Sequence, residues 1–248
     1  MHIQTEAFVL REAQYKESDK ILTVLTRNEG KKTVRVRGAR RVNNKLSAAA
    51  QPLIYSQMTL FAYKGRCTLD DAEVLDAFFS LRQDIERLSL ALYIAELCEA
   101  LTFEAPEPSV FALMLNTCHA LSHQSRPPSI VKPAAELRLL SLSGFQPSVQ
   151  RCPACGRAPP ENPCLHVRQG FVHCAACRGH MDEGPSQPLG PDAWLALRHI
   201  VQGDPKRLFS FTLTPEPLAR LTEASEAYVL THLERGFRTL EFFKKICE

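Results

Sequence analysis

The spacing of the apolar residues changes near residue 78, and no single type of secondary structure fits both sides of that change. Before it, apolar and branched residues come in short runs or alternate with polar ones, as in residues 21–26 (ILTVLT), a pattern typical of β-strands. After it, Leu81, Ile85 and Leu88 recur at the spacing of one face of an α-helix. The chain is therefore predicted to be an α+β protein, with strands first and helices second.

Five strands are predicted in the first segment, and turn residues such as those at 28–30 (NEG) separate them. The strands cover residues 5–11, 21–26, 31–38, 53–63 and 67–75. Five short strands are what a small OB-like β-barrel requires, and we place this barrel in residues 1–78.

The rest of the chain is predicted to be helical, with one interruption. Helical spacing of apolar residues runs through residues 79–150 and 180–248, which we assign to one all-α domain. Its last helix is expected to span residues 218–245. Residues 151–179 hold two cysteine pairs, so we predict a small module inserted into the helical domain.

Four of the nine cysteines form two CxxC pairs, Cys152 with Cys155 and Cys174 with Cys177. The eighteen residues between the pairs match the spacing of zinc ribbons, in which two such turns joined by a hairpin supply four thiolate ligands. Four thiolates leave no open coordination position, so we predict one structural Zn²⁺ per chain. Ordinary buried cysteines or a redox pair are the alternatives. Further potential ligands lie close by in the sequence: Cys164, His166, His173 and His180.

The catalytic motifs that such a chain could carry are incomplete. A zinc-dependent nucleobase deaminase has a proline directly before its CxxC pair and an HxE motif upstream, whereas Arg151 precedes Cys152 and no HxE lies upstream of it. Residues 30–33 (GKKT) resemble the end of a phosphate-binding loop, but Leu25 stands where that loop needs glycine. We predict that the chain is not an enzyme. A metal-dependent nucleic-acid enzyme is an alternative, and it would require an open position on the metal.

Basic residues are concentrated in the predicted barrel. Up to Arg66 the chain has thirteen Lys and Arg and five Asp and Glu, whereas acidic residues dominate between residues 70 and 107. A cationic unit of this kind favours contact with nucleic-acid phosphates, although a solvated charged surface would have a similar pattern. The candidate DNA contacts are Lys31, Lys32, Arg35, Arg37, Arg40, Arg41, Lys45, Lys64 and Arg66.

Alternation along the strands predicts which side chains share a face. On the third strand, Val34 and Val36 fall on one face, and Arg35 and Arg37 fall on the other. The fourth strand has aromatic residues on one face that either stack on nucleobases or line the barrel interior, and the strand pattern allows both. These residues are Tyr55, Phe61 and Tyr63.

The sequence predicts a protein of the cytoplasm. Residues 1–10 have neither the basic nor the apolar part of an export signal, and no apolar run reaches the length that spans a membrane. Reducing conditions there favour metal binding over disulfide formation by the CxxC pairs.

Several short segments carry a resemblance to a known family: residues 7–10 (AFVL), 15–21 (YKESDKI), 25–30 (LTRNEG), 37–41 (RGARR), 92–97 (LYIAEL), 136–140 (ELRLL) and 144–147 (GFQP), together with the four cysteines. In these segments, which follow the family's order and together cover most of the chain, the sequence resembles the RecO family of bacterial recombination mediators. Residues 159–164, within the cysteine module, depart from the family pattern. Some members of that family lack the cysteines, so zinc is not essential to its activity.

This resemblance implies that the protein binds single- and double-stranded DNA, anneals complementary strands, and works with RecR to load recombinase onto DNA covered by single-stranded DNA-binding protein (SSB). It implies a role in DNA repair and recombination at the nucleoid, with neither a membrane nor a small-molecule substrate. The alternative is an RNA-binding or translation-associated protein with the same barrel and zinc ribbon, which would prefer structured RNA.

A site for the acidic C-terminal tail of SSB is predicted in residues 132–142. That tail ends in an apolar residue with a free carboxylate, so its receptor should combine an apolar cleft with a cation at the mouth. Leu137 and Leu140 can line such a cleft, and Lys132 and Arg138 supply cations. Alternatively, Arg138 lies on a solvated helix face or in an internal ion pair.

Overall fold

The computed structural model describes residues 1–123, 125–180 and 184–247, and its first five strands close into a barrel. The order around the barrel is β1-β2-β3-β5-β4, with β4 paired to β1. The β3–β5 pair is parallel and the others are antiparallel. This confirms the predicted OB-like barrel. The strands are β1 (His2–Tyr15), β2 (Asp19–Thr26), β3 (Lys31–Val36), β4 (Tyr55–Tyr63) and β5 (Arg66–Asp76).

Strand alternation separates the core of the barrel from its outer surface. Val34 and Val36 on β3 are buried in the core, and so are Met58 and Leu60 on β4. The side chains between them, such as Arg35, point outwards. A shift of one residue in the pairing of β3 would bury its cations and expose its valines, so burial fixes the register.

The remainder of the described chain is mainly helical, as predicted. The expected single helix over residues 218–245 is wrong, because it is two helices separated by residues 234–237. Glu234 has a left-handed conformation with φ 49°, which ends the first of them. The helices are α1 (Phe79–Arg82), α2 (Ile85–Leu101), α3 (Pro108–Ser122), α4 (Pro128–Leu142), α5 (Gly190–Gln202), α6 (Pro215–Leu233) and α7 (Arg238–Cys247).

The chain divides into two compact units. The first comprises Met1–Ser125 and Phe237–Glu248, and the second comprises Arg126–Gly236. The barrel thus shares its unit with α1, α2, α3 and α7. The division expected from the sequence, into a barrel (1–78), a helical domain (79–150 and 180–248) and an inserted module (151–179), stays a prediction.

In the first unit, α2 is fixed to the barrel through Glu99. Arg11 on β1 binds both carboxylate oxygens of Glu99 at 2.9 Å, which raises the pKa of the arginine. The Thr23 hydroxyl on β2 donates to the same carboxylate at 3.3 Å. Lys31 at the start of β3 donates to the Glu99 carbonyl at 2.5 Å. One helical turn is therefore hydrogen-bonded to three consecutive strands.

In the second unit, α4 carries a buried charge cluster. Lys132 binds Glu136 at 2.9 Å and Glu226 at 3.2 Å, and the Ser225 hydroxyl donates to Glu136 at 2.6 Å. Burial lowers the pKa of Lys132, but the two carboxylates outweigh burial and keep it above its usual value. The charges are thus paired where they leave water, as a buried ion requires.

A small antiparallel sheet lies between α4 and α5 in the chain. It has the order β7-β6-β8 and contains β6 (Pro163–His166), β7 (Phe171–Cys174) and β8 (Ser186–Pro188). No helix among the described residues has the length and apolar character needed to cross a membrane.

Gly30, in the turn between β2 and β3, gives a test of the contact between barrel and helices. It has φ +69°, and a Cβ there would lie 2.1 Å from the carbonyl oxygen of Glu104. We expect Gly30→Ala to lower the free energy of unfolding by about 2 to 5 kcal/mol, because left-handed strain adds to overpacking. Urea unfolding measures the change.

Gly65→Ala is the matched control. Gly65 has φ +73° but nothing within 4 Å of an added Cβ. It should show the left-handed strain alone, roughly 1 to 2 kcal/mol. Equal losses in the two variants would contradict a close approach at Gly30.

Candidate nucleic-acid groove and metal centre

A groove with a volume of about 600 Å³ lies on the outer surface of the barrel, where β2, β3, β4 and β5 meet. Cationic and aromatic side chains line it together, which is the combination that single-strand binders use for phosphates and bases. Its arginines are Arg35, Arg37 and Arg66, and its aromatic residues are Tyr15, Phe61 and Tyr63.

Arg35 is held in place by Asp19. Its Nε and Nη2 donate to one carboxylate oxygen of Asp19 at 2.8 and 2.5 Å, and its guanidinium lies 5.4 Å from the centre of the Tyr15 ring. The Gly38 N–H donates to the other Asp19 oxygen at 2.8 Å, and this bond together with Arg35 holds the pKa of Asp19 below its usual value. Much of the positive charge of Arg35 is therefore compensated within the barrel.

Arg37 and Arg66 are the uncompensated cations of the groove. Both are exposed, and within the described residues their guanidinium groups form no hydrogen bond or ion pair. A guanidinium in this state presents its full fork of donors to a phosphate. Their placement favours them over Arg35 as the first contacts of an incoming anion.

The other predicted cations lie around the barrel rather than in the groove. Lys31 is directed to α2 and lies 5.9 Å from the centre of the Phe103 ring. Lys64 lies beside the groove, 5.3 Å from the centre of the Tyr63 ring. The remaining four are at the surface or half-buried: Lys32, Arg40, whose side chain donates to the Glu17 carbonyl, Arg41, and Lys45, which pairs with Asp71 at 3.1 Å.

The three aromatic residues of β4 all point away from the barrel interior, so the interpretation that they line it is wrong. Phe61 and Tyr63 are 37% and 60% exposed in the groove. Tyr55 is half-buried, donates its hydroxyl to Glu6, and packs edge-on against Phe111 of α3. Two of the three are therefore available to a ligand.

The four CxxC cysteines come together as predicted. All four sulfur atoms lie within 4.8 Å of one another, and those of Cys155 and Cys174 are 3.8 Å apart. A tetrahedron with metal–sulfur bonds of about 2.3 Å has edges of about 3.8 Å, so the cluster has the size of a four-thiolate metal site. Cys152 and Cys155 lie on one turn, Cys174 ends β7, and Cys177 lies in the following 3₁₀ helix.

The thiols of this cluster differ in acidity. Burial raises the pKa of Cys152, but backbone N–H groups of Cys174 and Cys155 reverse the effect and lower it to about 6. A hydrogen bond with Cys155 raises the pKa of Cys177 to about 12. One thiolate is thus favoured by the fold, and further thiolates beside it repel one another unless a cation is bound.

The neighbouring potential ligands have other partners. His173 is buried, with its ring nitrogens 2.9 Å from the Cys174 carbonyl and 3.0 Å from the Ser186 hydroxyl. His166 stacks on Phe171, and Cys164 donates to a backbone carbonyl. His180 is exposed in the 3₁₀ helix. The spacing of the two CxxC pairs was therefore sufficient to identify the four cysteines that cluster.

The cations predicted for the SSB tail are engaged within the second unit. Lys132 is buried in the charge cluster of α4 rather than at the mouth of a cleft. Arg138 donates to the carbonyls of Ile200 and Val201 at 3.1 and 2.9 Å, at the C-terminal end of α5, where carbonyls lack helical partners. A role in tail binding stays a prediction for both.

Sequence reasoning missed Asp19 and Tyr15, which organise the groove around Arg35. Asp19 is one of five acidic residues among the cations up to Arg66, and it is buried. The sequence does not distinguish Asp19 from the other four acidic residues, because its burial beside Arg35 depends on the pairing of β2 with β3.

A closed five-stranded barrel, a helical part and an inserted four-cysteine module define an OB-like barrel protein with a metal-binding module. Two family models match the chain: Recombination protein O N terminal over residues 1–78, and Recombination protein O C terminal over residues 82–241. The chain belongs to the RecO family of DNA repair proteins. This family is one of repair proteins without known catalysis, in agreement with the prediction that the chain is not an enzyme.

Curated relatives are similar over nearly their whole length. A DNA repair protein RecO of Acetivibrio thermocellus is 31% identical, with 99% of this chain and 97% of the relative covered. A protein of the same name from Alkaliphilus metalliredigens is 30% identical, with 99% and 100% covered. A third, from Symbiobacterium thermophilum, is 33% identical, with 96% and 94% covered.

The cysteine cluster predicts about one bound metal ion per chain. Cys155→Ser removes a ligand, so we expect it to lose most of the metal and to melt at a lower temperature, since the binding free energy of a structural metal is folding free energy. Elemental analysis and thermal melting of protein purified under reducing conditions measure both effects. Cys164→Ser, outside the cluster, should change neither. Metal-free unsubstituted protein would contradict the site.

The position of Arg138 predicts an effect on stability that is independent of any partner. We expect Arg138→Ala to lower the free energy of unfolding by about 1.5 to 3 kcal/mol, because two helix-end carbonyls lose a charged donor. Arg138→Lys should restore part of that loss. Urea unfolding measures stability, and titration with a labelled SSB tail peptide tests docking separately: unchanged peptide affinity in a folded Arg138→Ala variant would remove Arg138 from the predicted site.

Proposed function

We propose that this protein binds single- and double-stranded DNA through the barrel groove, anneals complementary strands, and helps to load recombinase onto SSB-coated DNA together with RecR. The observation that carries the proposal is the groove itself. Two exposed arginines that form no hydrogen bond or ion pair with the described part of the chain, Arg37 and Arg66, lie in it beside two exposed rings, Phe61 and Tyr63. This arrangement suits a polyanion with unpaired bases.

Annealing of this kind requires no nucleotide hydrolysis. A cationic surface that neutralises phosphates on two strands lowers their mutual repulsion, and base pairing then supplies the free energy. Further cations of the barrel, among them Arg40, Arg41 and Lys64, are exposed and supply contacts for the phosphates of a second strand. DNA is favoured over the structured RNA of the alternative function because the relatives carry the name of DNA repair proteins.

The proposed partners, SSB and RecR, follow from membership of the RecO family. Loading recombinase on covered DNA requires contact with SSB, and RecR is the expected co-mediator. Lys132 and Arg138 stay the predicted cations for the SSB tail, although both also stabilise the second unit. The expected location, in the cytoplasm at the nucleoid, belongs to the same proposal.

We further propose that the metal of the cysteine cluster is Zn²⁺. Four cysteine sulfurs within 4.8 Å of one another suit a tetrahedral thiolate site, for which zinc is the usual occupant. Bound zinc would cross-link the turn at Cys152 to the end of β7. Because all four positions are filled by protein, the site would stabilise the module without taking part in a reaction.

The DNA-binding proposal predicts how charge reversal changes the dependence of affinity on salt. We expect Arg37→Glu with Arg66→Glu to weaken binding to single strands of any sequence. Each lost phosphate contact should reduce the slope of log affinity against log salt by about 0.7. A gel-shift or anisotropy series with single-stranded DNA, duplex DNA and structured RNA across several salt concentrations measures this.

The control is a charge reversal of equal size elsewhere, such as Lys206→Glu combined with Arg207→Glu. Both residues are exposed in the second unit, and neither is among the residues that line the groove. These changes should leave the slope near that of the unsubstituted protein. An unchanged slope in the groove variant, or tighter binding to structured RNA than to single-stranded DNA, would contradict the proposal.

A further inference from the structure

Phe61 and Tyr63 form a parallel pair of rings at the edge of the groove. Their planes differ by 10° and their centres lie 6.5 Å apart. The separation equals about two residues of strand, so the backbone of β4 sets it. His2 packs against Phe61 with ring centres 5.2 Å apart, and Lys64 lies over Tyr63. The rings are thus supported by their neighbours and held apart.

The spacing of the two rings matches the thickness of one nucleobase between them. Stacked bases follow one another at about 3.4 Å, so a base between two rings needs ring centres about 6.8 Å apart. Both rings are exposed, and both line the 600 Å³ groove. A base stacked between the two rings would remove apolar surface of both rings from water.

We propose that Phe61 and Tyr63 form a clamp that takes one unpaired nucleobase between their rings. The proposal rests on the function proposed above, since it places a base of the bound strand at a defined point of the groove. Arg66 pairs with Tyr63 in the β4–β5 register, so a cation stands where the phosphate next to that base would pass. Tyr55 takes no part, because it packs against Phe111.

A clamp of this kind distinguishes unpaired from paired bases. A base in a duplex is already stacked and hydrogen-bonded, so inserting it between the rings would require breaking both. Single strands would therefore contact the arginines and the rings, and duplexes would contact the arginines alone. Pairing with a complementary strand would withdraw the base from the clamp. The protein would therefore bind the annealed duplex more weakly than the single strand.

The test compares Phe61→Leu, Tyr63→Leu and the double variant in the full-length protein. Each single change should weaken binding to a single-stranded oligonucleotide by roughly 5- to 150-fold and leave duplex affinity within about twofold. Because the clamp needs both rings, the double variant should bind within about twofold of the weaker single variant. A single 2-aminopurine in the strand reports insertion through quenching that either change removes.

Two control sets separate the clamp from loss of fold or of an exposed ring. Phe61→Tyr and Tyr63→Phe keep both rings and should keep single-strand affinity and quenching. Phe79→Leu removes a ring that is 76% exposed outside the groove, and should change neither.

The outcomes also separate failure of the clamp from failure of the proposed DNA-binding function. If the losses of the single variants multiply in the double variant, the rings act as two independent platforms and the clamp is overturned. Equal losses on duplex DNA overturn it as well. If the rings matter in neither assay while Arg37→Glu with Arg66→Glu weakens binding, the clamp fails and the proposed function stands. If the arginine changes also have no effect, the proposed function fails.

Discussion

Closure of the barrel is the constraint on which the rest of the first unit depends. Pairing of β4 with β1 leaves no open edge, and a five-stranded barrel has an interior that a few side chains such as Val34, Val36, Met58 and Leu60 fill completely. Every second residue of the same strands must then face outwards. Arg35, Phe61 and Tyr63 are at these outward positions, so the sequence that forms the core also determines where the groove can be.

A second constraint joins the barrel to its helices. Glu99 accepts from two strands through its carboxylate, and its carbonyl accepts from a third. The Gly30 turn meets the backbone after α2 so closely that no side chain fits between them. Apolar burial alone is not directional, whereas these charged and backbone contacts have a defined geometry. They give the helix one position along the strands where burial would allow several.

Features that depend on near neighbours in the chain were predictable from the sequence, and features that depend on distant ones were not. Alternation on β3 assigned Arg35 and Val36 to opposite faces, and CxxC spacing identified the cysteine cluster, because both patterns are local. The partner of Arg35 is Asp19, sixteen residues away at the start of β2, and the register of β2 with β3 brings the two side chains together. The break at Glu234 was missed because a left-handed residue other than glycine leaves little trace in a sequence.

The break after α6 affects the order in which the first unit can form during synthesis. Residues 237–247 return to the first unit, where α7 lies along α2 and Phe237 packs edge-on against Tyr93. The whole of the second unit is therefore inserted between two parts of the first. During synthesis on the ribosome, the barrel and α2 emerge well before α7. The face of α2 that α7 covers therefore stays exposed until more than a hundred further residues have been synthesised. The last helix completes a unit that the first strand began.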